Sequence, residues 1–235
     1  TGGITALTLP GGTETGLMLY ATDPDLIHSV NQRQVAAQNK LDEYYIRKGT
    51  PGVLMEQDMA GSNGPLISPE MFREMCFPYL RERIDNVKTY GRQVIFHNCG
   101  NNIPLMDMFI DAGIDCYQSL QTTAGMEVGK LKGLYGDSLC FWGGIPVELL
   151  IEGEPDDIRK AVRTALERGT RDGPAGPSGT ADPTAADAGD SDSAAGISMT
   201  GGFILGPSHS VAMNTKYGNF MAMLEEHDRL ADRYV

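Results

Sequence analysis

His97-Asn98-Cys99 sets an imidazole and a thiol two residues apart, where the apolar run Val94-Ile95-Phe96 gives way to Gly100. In an extended strand, residues i and i+2 point to one face about 6.5 Å apart along the chain, so a bend at Gly100 lets both side chains reach one cation. Nitrogen and sulfur together suit zinc. The same two residues also read more plainly, as a strand-end histidine held by hydrogen bonds and a cysteine serving as a small core hydrophobe.

The elements that must position this pair follow a clear rhythm. From Pro51 onward short apolar runs alternate with amphipathic stretches, the pattern of a parallel α/β protein. Strands are predicted at 53–55, 93–96, 115–120, 139–142 and 203–205, and helices at 69–90, 103–112, 126–134, 154–168 and 217–229, after a mainly helical stretch at 23–47. Ser68 is a fitting N-cap, with Pro69 at the first helical position. These make about five βα units, where eight would close a barrel. No glycine-rich nucleotide fingerprint follows any strand, which favours part of a (β/α)8 TIM barrel over an open doubly wound sheet.

At 235 residues and 41% hydrophobic, the chain can bury a substantial core. We expect a single domain over 1–235. The opening residues Thr1-Gly2-Gly3-Ile4-Thr5-Ala6-Leu7 read as the inside of a fold, so the barrel is expected to be N-terminally truncated. Between 170 and 200 the composition falls to Gly, Ala, Ser, Thr, Pro and Asp, which cannot offset ordering entropy by apolar burial. This is expected to be a disordered insertion within the domain. The net charge of −12 argues against a nucleic-acid partner, and no 18-residue apolar span or secretory segment is present. Four cysteines without close pairing suggest a reduced, cytoplasmic protein.

In a parallel barrel, functional groups gather just past the C-terminal ends of the strands. That rule collects Asp58, His97 with Cys99, Gln118 or Gln121, Gly143 with Gly144, and Ser208 with His209. Asp58 is an acid, base or substrate partner, or a cap of the next segment. His209 is a site residue or a solvated loop histidine. Gln118 and Gln121 contact substrate or are polar packing. Gly143-Gly144 permits a turn or the close approach of a ligand. Cys116 and Cys140 read as core thiols, and Cys76 is assigned no role. The twelve methionines fill the core or line an apolar cavity.

The segments Leu66-Ile67-Ser68-Pro69-Glu70-Met71-Phe72, Phe77-Pro78-Tyr79 and Phe96-His97-Asn98-Cys99-Gly100 resemble, in that order after Asp58, the uroporphyrinogen decarboxylase superfamily. Ala112-Gly113-Ile114-Asp115, Tyr135-Gly136-Asp137, Gly143-Gly144-Ile145 and Gly201-Gly202-Phe203-Ile204 continue the match. The resemblance implies a (β/α)8 barrel with its site at the C-terminal mouth. It also implies one of two chemistries: decarboxylation of uroporphyrinogen, or zinc-dependent methyl transfer with a corrinoid protein. In the methyltransferase branch an H-x-C-G motif supplies two zinc ligands, which fall on His97 and Cys99. That branch takes a third ligand from a cysteine after the last strand, where this chain has Ser208-His209. The remaining ligand then comes from His209, Asp58 or Glu56.

The expected function is therefore zinc-dependent transfer of a methyl group between methylcobalamin on a corrinoid partner and a small thiol or similar acceptor. In that expectation Asp58 and His209 are catalytic, Gln118, Gln121, Gly143 and Gly144 bind substrate, and His97, Cys99 and His209 hold the metal. Metal-free porphyrinogen decarboxylation and a non-catalytic corrinoid- or tetrapyrrole-binding domain are the alternatives.

Overall fold

A computed structural model describes residues 2–3, 6–170 and 202–233. The low-complexity stretch expected at 170–200 lies outside the described residues from 171 onward. Among the described residues six parallel strands form one sheet: β1 (Gly2–Gly3), β2 (Gly52–Glu56), β5 (Gln93–His97), β6 (Cys116–Gln118), β7 (Cys140–Ile145) and β8 (Phe203–Pro207). A small antiparallel hairpin, β3 (Ala60–Gly61) with β4 (Gly64–Pro65), stands apart from them.

Strand order across the sheet follows chain order without reversal. A doubly wound sheet reverses at a switch point, whereas right-handed crossovers that always step the same way put every helix on one face and curl the sheet. The fold is accordingly α/β of the TIM-barrel type, an arc of six strands among the described residues. The crossovers are α1 (Thr13–Thr22) and α2 (Pro24–Tyr45), then α3 (Pro69–Met75) and α4 (Phe77–Thr89), α5 (Met106–Ala112), α6 (Val128–Tyr135), and α7 (Val147–Glu152) with α8 (Pro155–Gly169). Helix α9 (Tyr217–Leu230) follows β8.

Register sorts the side chains into rows. Met55, Phe96, Tyr117 and Phe141 are direct cross-strand partners and are fully buried. Phe109 of α5 lies 4.8 Å, ring to ring, from Phe96 in an edge-on contact and also meets Phe72 of α3, so this row faces the helices. Because strand side chains alternate, the next row, Glu56, His97, Gln118, Trp142 and Ile204, must face the concave side at the C-terminal end of the sheet.

The single helix expected over 69–90 is two helices. Pro78 has no N–H to give, and its ring would crowd the carbonyl four residues earlier, so the helix ends at Cys76 and restarts. Ser68 caps α3 by accepting from the Met71 amide at 3.1 Å. Asp23 caps α2 through the Leu26 amide at 3.1 Å. Buried Arg83 of α4 makes a two-pronged ion pair with Asp42 of α2, and Asn86 donates to the same carboxylate at 2.8 Å. Pairing is what makes such a buried charge tolerable, and it fixes α2 against α4.

Candidate metal centre

The C-terminal ends of β2 and β5 bring Asp58, His97 and Cys99 together, with one ligand atom from each within 4.8 Å of the others. His97 ends β5 with its side chain 13% exposed, whereas Asp58, just past β2, is 58% exposed at the rim. The imidazole Nε2 lies 3.3 Å from Cys99 Sγ and 3.9 Å from Asp58 Oδ1. Two donors bound to one zinc at about 2.0 and 2.3 Å in a tetrahedron are about 3.5 Å apart, close to the nitrogen–sulfur separation found here.

The surrounding bonds prepare these donors. On the far side of the ring, His97 Nδ1–H donates to Gln118 Oε1, its cross-strand neighbour. A carboxamide oxygen can only accept, so the proton sits on Nδ1 and the Nε2 lone pair faces Cys99 and Asp58. Asp58 Oδ1 accepts from the Cys99 amide at 2.8 Å. Burial pushes the Cys99 thiol up to about 11; the Ser119 hydrogen bond opposes this and the Asp58 and Glu56 carboxylates add to it. A cation among these groups would reverse that balance and hold the sulfur as thiolate. On these grounds the residues fit zinc.

A buried polar scaffold fixes the loop that carries Cys99. Asn98 Oδ1 accepts from the Met59 amide at 2.9 Å, tying the β5 end to the β2 end. Asn102 donates to the Cys99 carbonyl at 2.7 Å, and Tyr117 donates to the Asn98 carbonyl at 2.6 Å. Gly100 has φ +84°, and a Cβ there would fall 2.4 Å from the Ala60 carbonyl oxygen. Only glycine lets the turn nest under the β3–β4 hairpin, which also accepts the Asn101 amide at 2.9 Å through Gly61. Ser119 has φ +84°, a strained value for a residue with a side chain, and its buried hydroxyl donates to Cys99 Sγ at 3.3 Å.

Among the described residues, the three-donor group contains Asp58 but neither Glu56 nor His209. Glu56 is the cross-strand partner of His97 and is exposed. His209 stands beyond β8, its Nδ1 3.0 Å from the buried Ser208 hydroxyl, which also accepts from the Val147 amide at 3.1 Å. Gln118 and Gln121 both have partners within the protein: Gln118 holds His97, and Gln121 Oε1 accepts from the Gly100 amide at 2.9 Å. Gly143 and Gly144 lie inside β7 with φ +145° and +101°. The space a Cβ would need is taken by Leu120 at the first and by Ala165, Phe203 and Val128 at the second, so the close approach there is by the protein's own side chains.

Ser119, Asn98, Asn102 and Tyr117 were not singled out from sequence. Asn98 has a usable signal, its place between His97 and Cys99 just past the strand predicted at 93–96; the others are polar residues whose partners come from distant segments.

An arc of parallel βα units with a nitrogen, sulfur and oxygen donor set at the strand ends defines a protein of the TIM-barrel class with a candidate metal centre at its C-terminal mouth. The family model for uroporphyrinogen decarboxylase (URO-D) matches residues 6–176, and the chain belongs to that family. Among solved structures it is similar to a methyltransferase from Methanosarcina mazei, with a TM-score of 0.67 and 19% identity over 92% of this chain. At that identity the likeness is one of fold. The match takes in 53% of the archaeal chain, so this chain spans about half its length. No curated protein matches. No helix among the described residues is long and apolar enough to cross a membrane.

Proposed function

We propose that this chain is a zinc-dependent methyltransferase that moves a methyl group between a corrinoid protein and a small thiol or similar acceptor. One observation carries the reading: His97 Nε2, Cys99 Sγ and an Asp58 oxygen converge within 4.8 Å at the strand ends. The shared fold with a methyltransferase supports it.

His97, Cys99 and Asp58 would hold the ion and leave a fourth position facing solvent. When bound, zinc would act as a Lewis acid that favours the deprotonated form of an acceptor thiol at neutral pH. The chain's own groups prepare that chemistry. Gln118 keeps the proton on His97 Nδ1, Ser119 supports the Cys99 sulfur, and the exposed side of Asp58 marks the path by which the acceptor enters. Methylcobalamin on the partner would supply the methyl group, and the mouth would present the acceptor sulfur to it as thiolate, the acceptor's proton having gone to solvent. His209, oriented by Ser208, is assigned to the substrate side of the mouth. The reaction belongs in the cytoplasm, where thiols stay reduced.

Metal analysis tests the assignment. The purified chain should carry about one zinc per molecule, the stoichiometry of one three-ligand site. Cys99→Ala should lose that zinc and methyl transfer to thiols while keeping its circular dichroism spectrum. A protein that purifies without zinc, fails to take it up and decarboxylates uroporphyrinogen after Cys99→Ala would overturn the reading in favour of the metal-free decarboxylase.

A further inference from the structure

At the other end of the sheet, Cys116 and Cys140 open β6 and β7 and are direct cross-strand partners. Both alternate with residues of the helix-facing row, Tyr117 and Phe141, so both sulfurs lie on the concave face. Neighbouring strands run about 4.8 Å apart, inside the separation that a disulfide spans. The ladder bond from the Cys140 amide to the Asp115 carbonyl, 3.0 Å, fixes this register. Each sulfur lies beside the carbonyl of the next residue, at 4.0 Å for Cys116 and 3.9 Å for Cys140. Both thiols are free, Cys116 buried and Cys140 half-buried.

We propose that Cys116 and Cys140 form a peroxide-oxidisable dithiol, with Cys140 as the attacking thiol and Cys116 as the resolving one. Cys140 is the more accessible of the two. The hydrogen bond from Cys116 favours the Cys140 thiolate; burial opposes that and the Lys132 charge assists it, while the Cys116 thiol is pushed up. Cys76 offers a contrast, since it is fully buried, hydrogen-bonded to Tyr20 and pushed up to about 12.

In the first step the Cys140 sulfur attacks a peroxide oxygen, the O–O bond breaks, and a sulfenic acid and water result. In the second, Cys116 sulfur attacks the Cys140 sulfur, the S–O bond breaks, and the hydroxyl leaves as water with the Cys116 proton. Two thiols and one peroxide thus give one disulfide and two waters. The bond would clamp β6 to β7 at the end of the sheet opposite the metal centre, and a thiol reductant would release it.

Peptide mapping of the reduced chain after hydrogen peroxide and alkylation tests this. The expected result is a Cys116–Cys140 cross-linked peptide pair that disappears with dithiothreitol. Cys116→Ser should leave a dimedone-reactive sulfenic acid on Cys140, and Cys140→Ser should slow oxidation of Cys116 by about tenfold or more, since the attacking thiolate is gone. Free, alkylated Cys116 and Cys140 in peroxide-treated wild-type protein would overturn the proposal. So would a cross-link that pairs either with Cys76 or Cys99, or dimedone labelling of Cys116 in preference to Cys140. The wild-type map decides the matter even if a variant fails to fold.

Discussion

His97 and Gln118 are cross-strand partners on β5 and β6, and the imidazole Nδ1–H donates to the amide oxygen of its neighbour. One bond between two strand-end residues thus selects the tautomer and turns Nε2 toward Cys99 and Asp58. Gln118 is a positioning residue, 8% exposed, and acts on the centre through the ring it holds.

Gln118→Leu should therefore lower zinc affinity by about 10- to 100-fold, the usual effect of removing a partner behind a metal-bound histidine. Gln118→Glu, which still accepts from Nδ1–H, should restore most of it. Competition with a chromophoric chelator measures both. Equal affinities in Gln118→Leu and wild type would remove Gln118 from the site.

Asp58 holds the Cys99 amide as well as facing the donor group. Asp58→Asn keeps an oxygen that can accept that amide but loses the charge. Zinc binding should weaken while the melting temperature stays within a few degrees of wild type. If zinc affinity is unchanged in Asp58→Asn and falls in His209→Ala, the third ligand is His209.

Gly100→Ala places a methyl group against the Ala60 carbonyl oxygen and forces a left-handed backbone on a residue with a Cβ. The backbone strain alone costs about 1–3 kcal/mol, and relieving the clash requires the hairpin to move. Denaturant titration should show at least that loss, accompanied by weaker zinc binding because Asp58 adjoins the hairpin.

Glu226 of α9 is 4% exposed and bonded by Arg163 of α8 at 2.6 Å and by Arg229 at 2.6 and 3.0 Å. Led by the Arg229 bond, these contacts hold its carboxyl down at about 2, below the ordinary 4.5. A depressed carboxylate stabilises the fold fully above its unfolded pKa, and that stability is lost as pH falls toward the folded one. Stability should accordingly drop between pH 4.5 and 2. Glu226→Gln should be less stable at neutral pH and should flatten that acid limb. Parallel acid limbs for the two proteins would show that the clamp contributes nothing.

Periodicity and strand-end position made much of this protein legible from sequence. Alternating apolar runs predict the parallel strands, and the i, i+2 spacing of His97 and Cys99 puts two donors at the end of one of them, since both signals are local properties of an extended chain. Pro78 is equally visible, but apolar spacing on both sides of it predicts one helix over 69–90 and masks the break that a proline ring imposes. Tertiary structure decided the rest. Asp58 joins the donor group because β2 and β5 are neighbours in register, Gln118 reaches His97 because β6 lies on the other side, and Ser119 meets Cys99 only through a left-handed backbone at a strand end. Cys116 and Cys140, 24 residues apart in sequence, become partners for the same reason. Sequence sets which groups a strand end carries; the register between strands sets which of them meet, and that register is fixed by the packing of the whole helix-facing row.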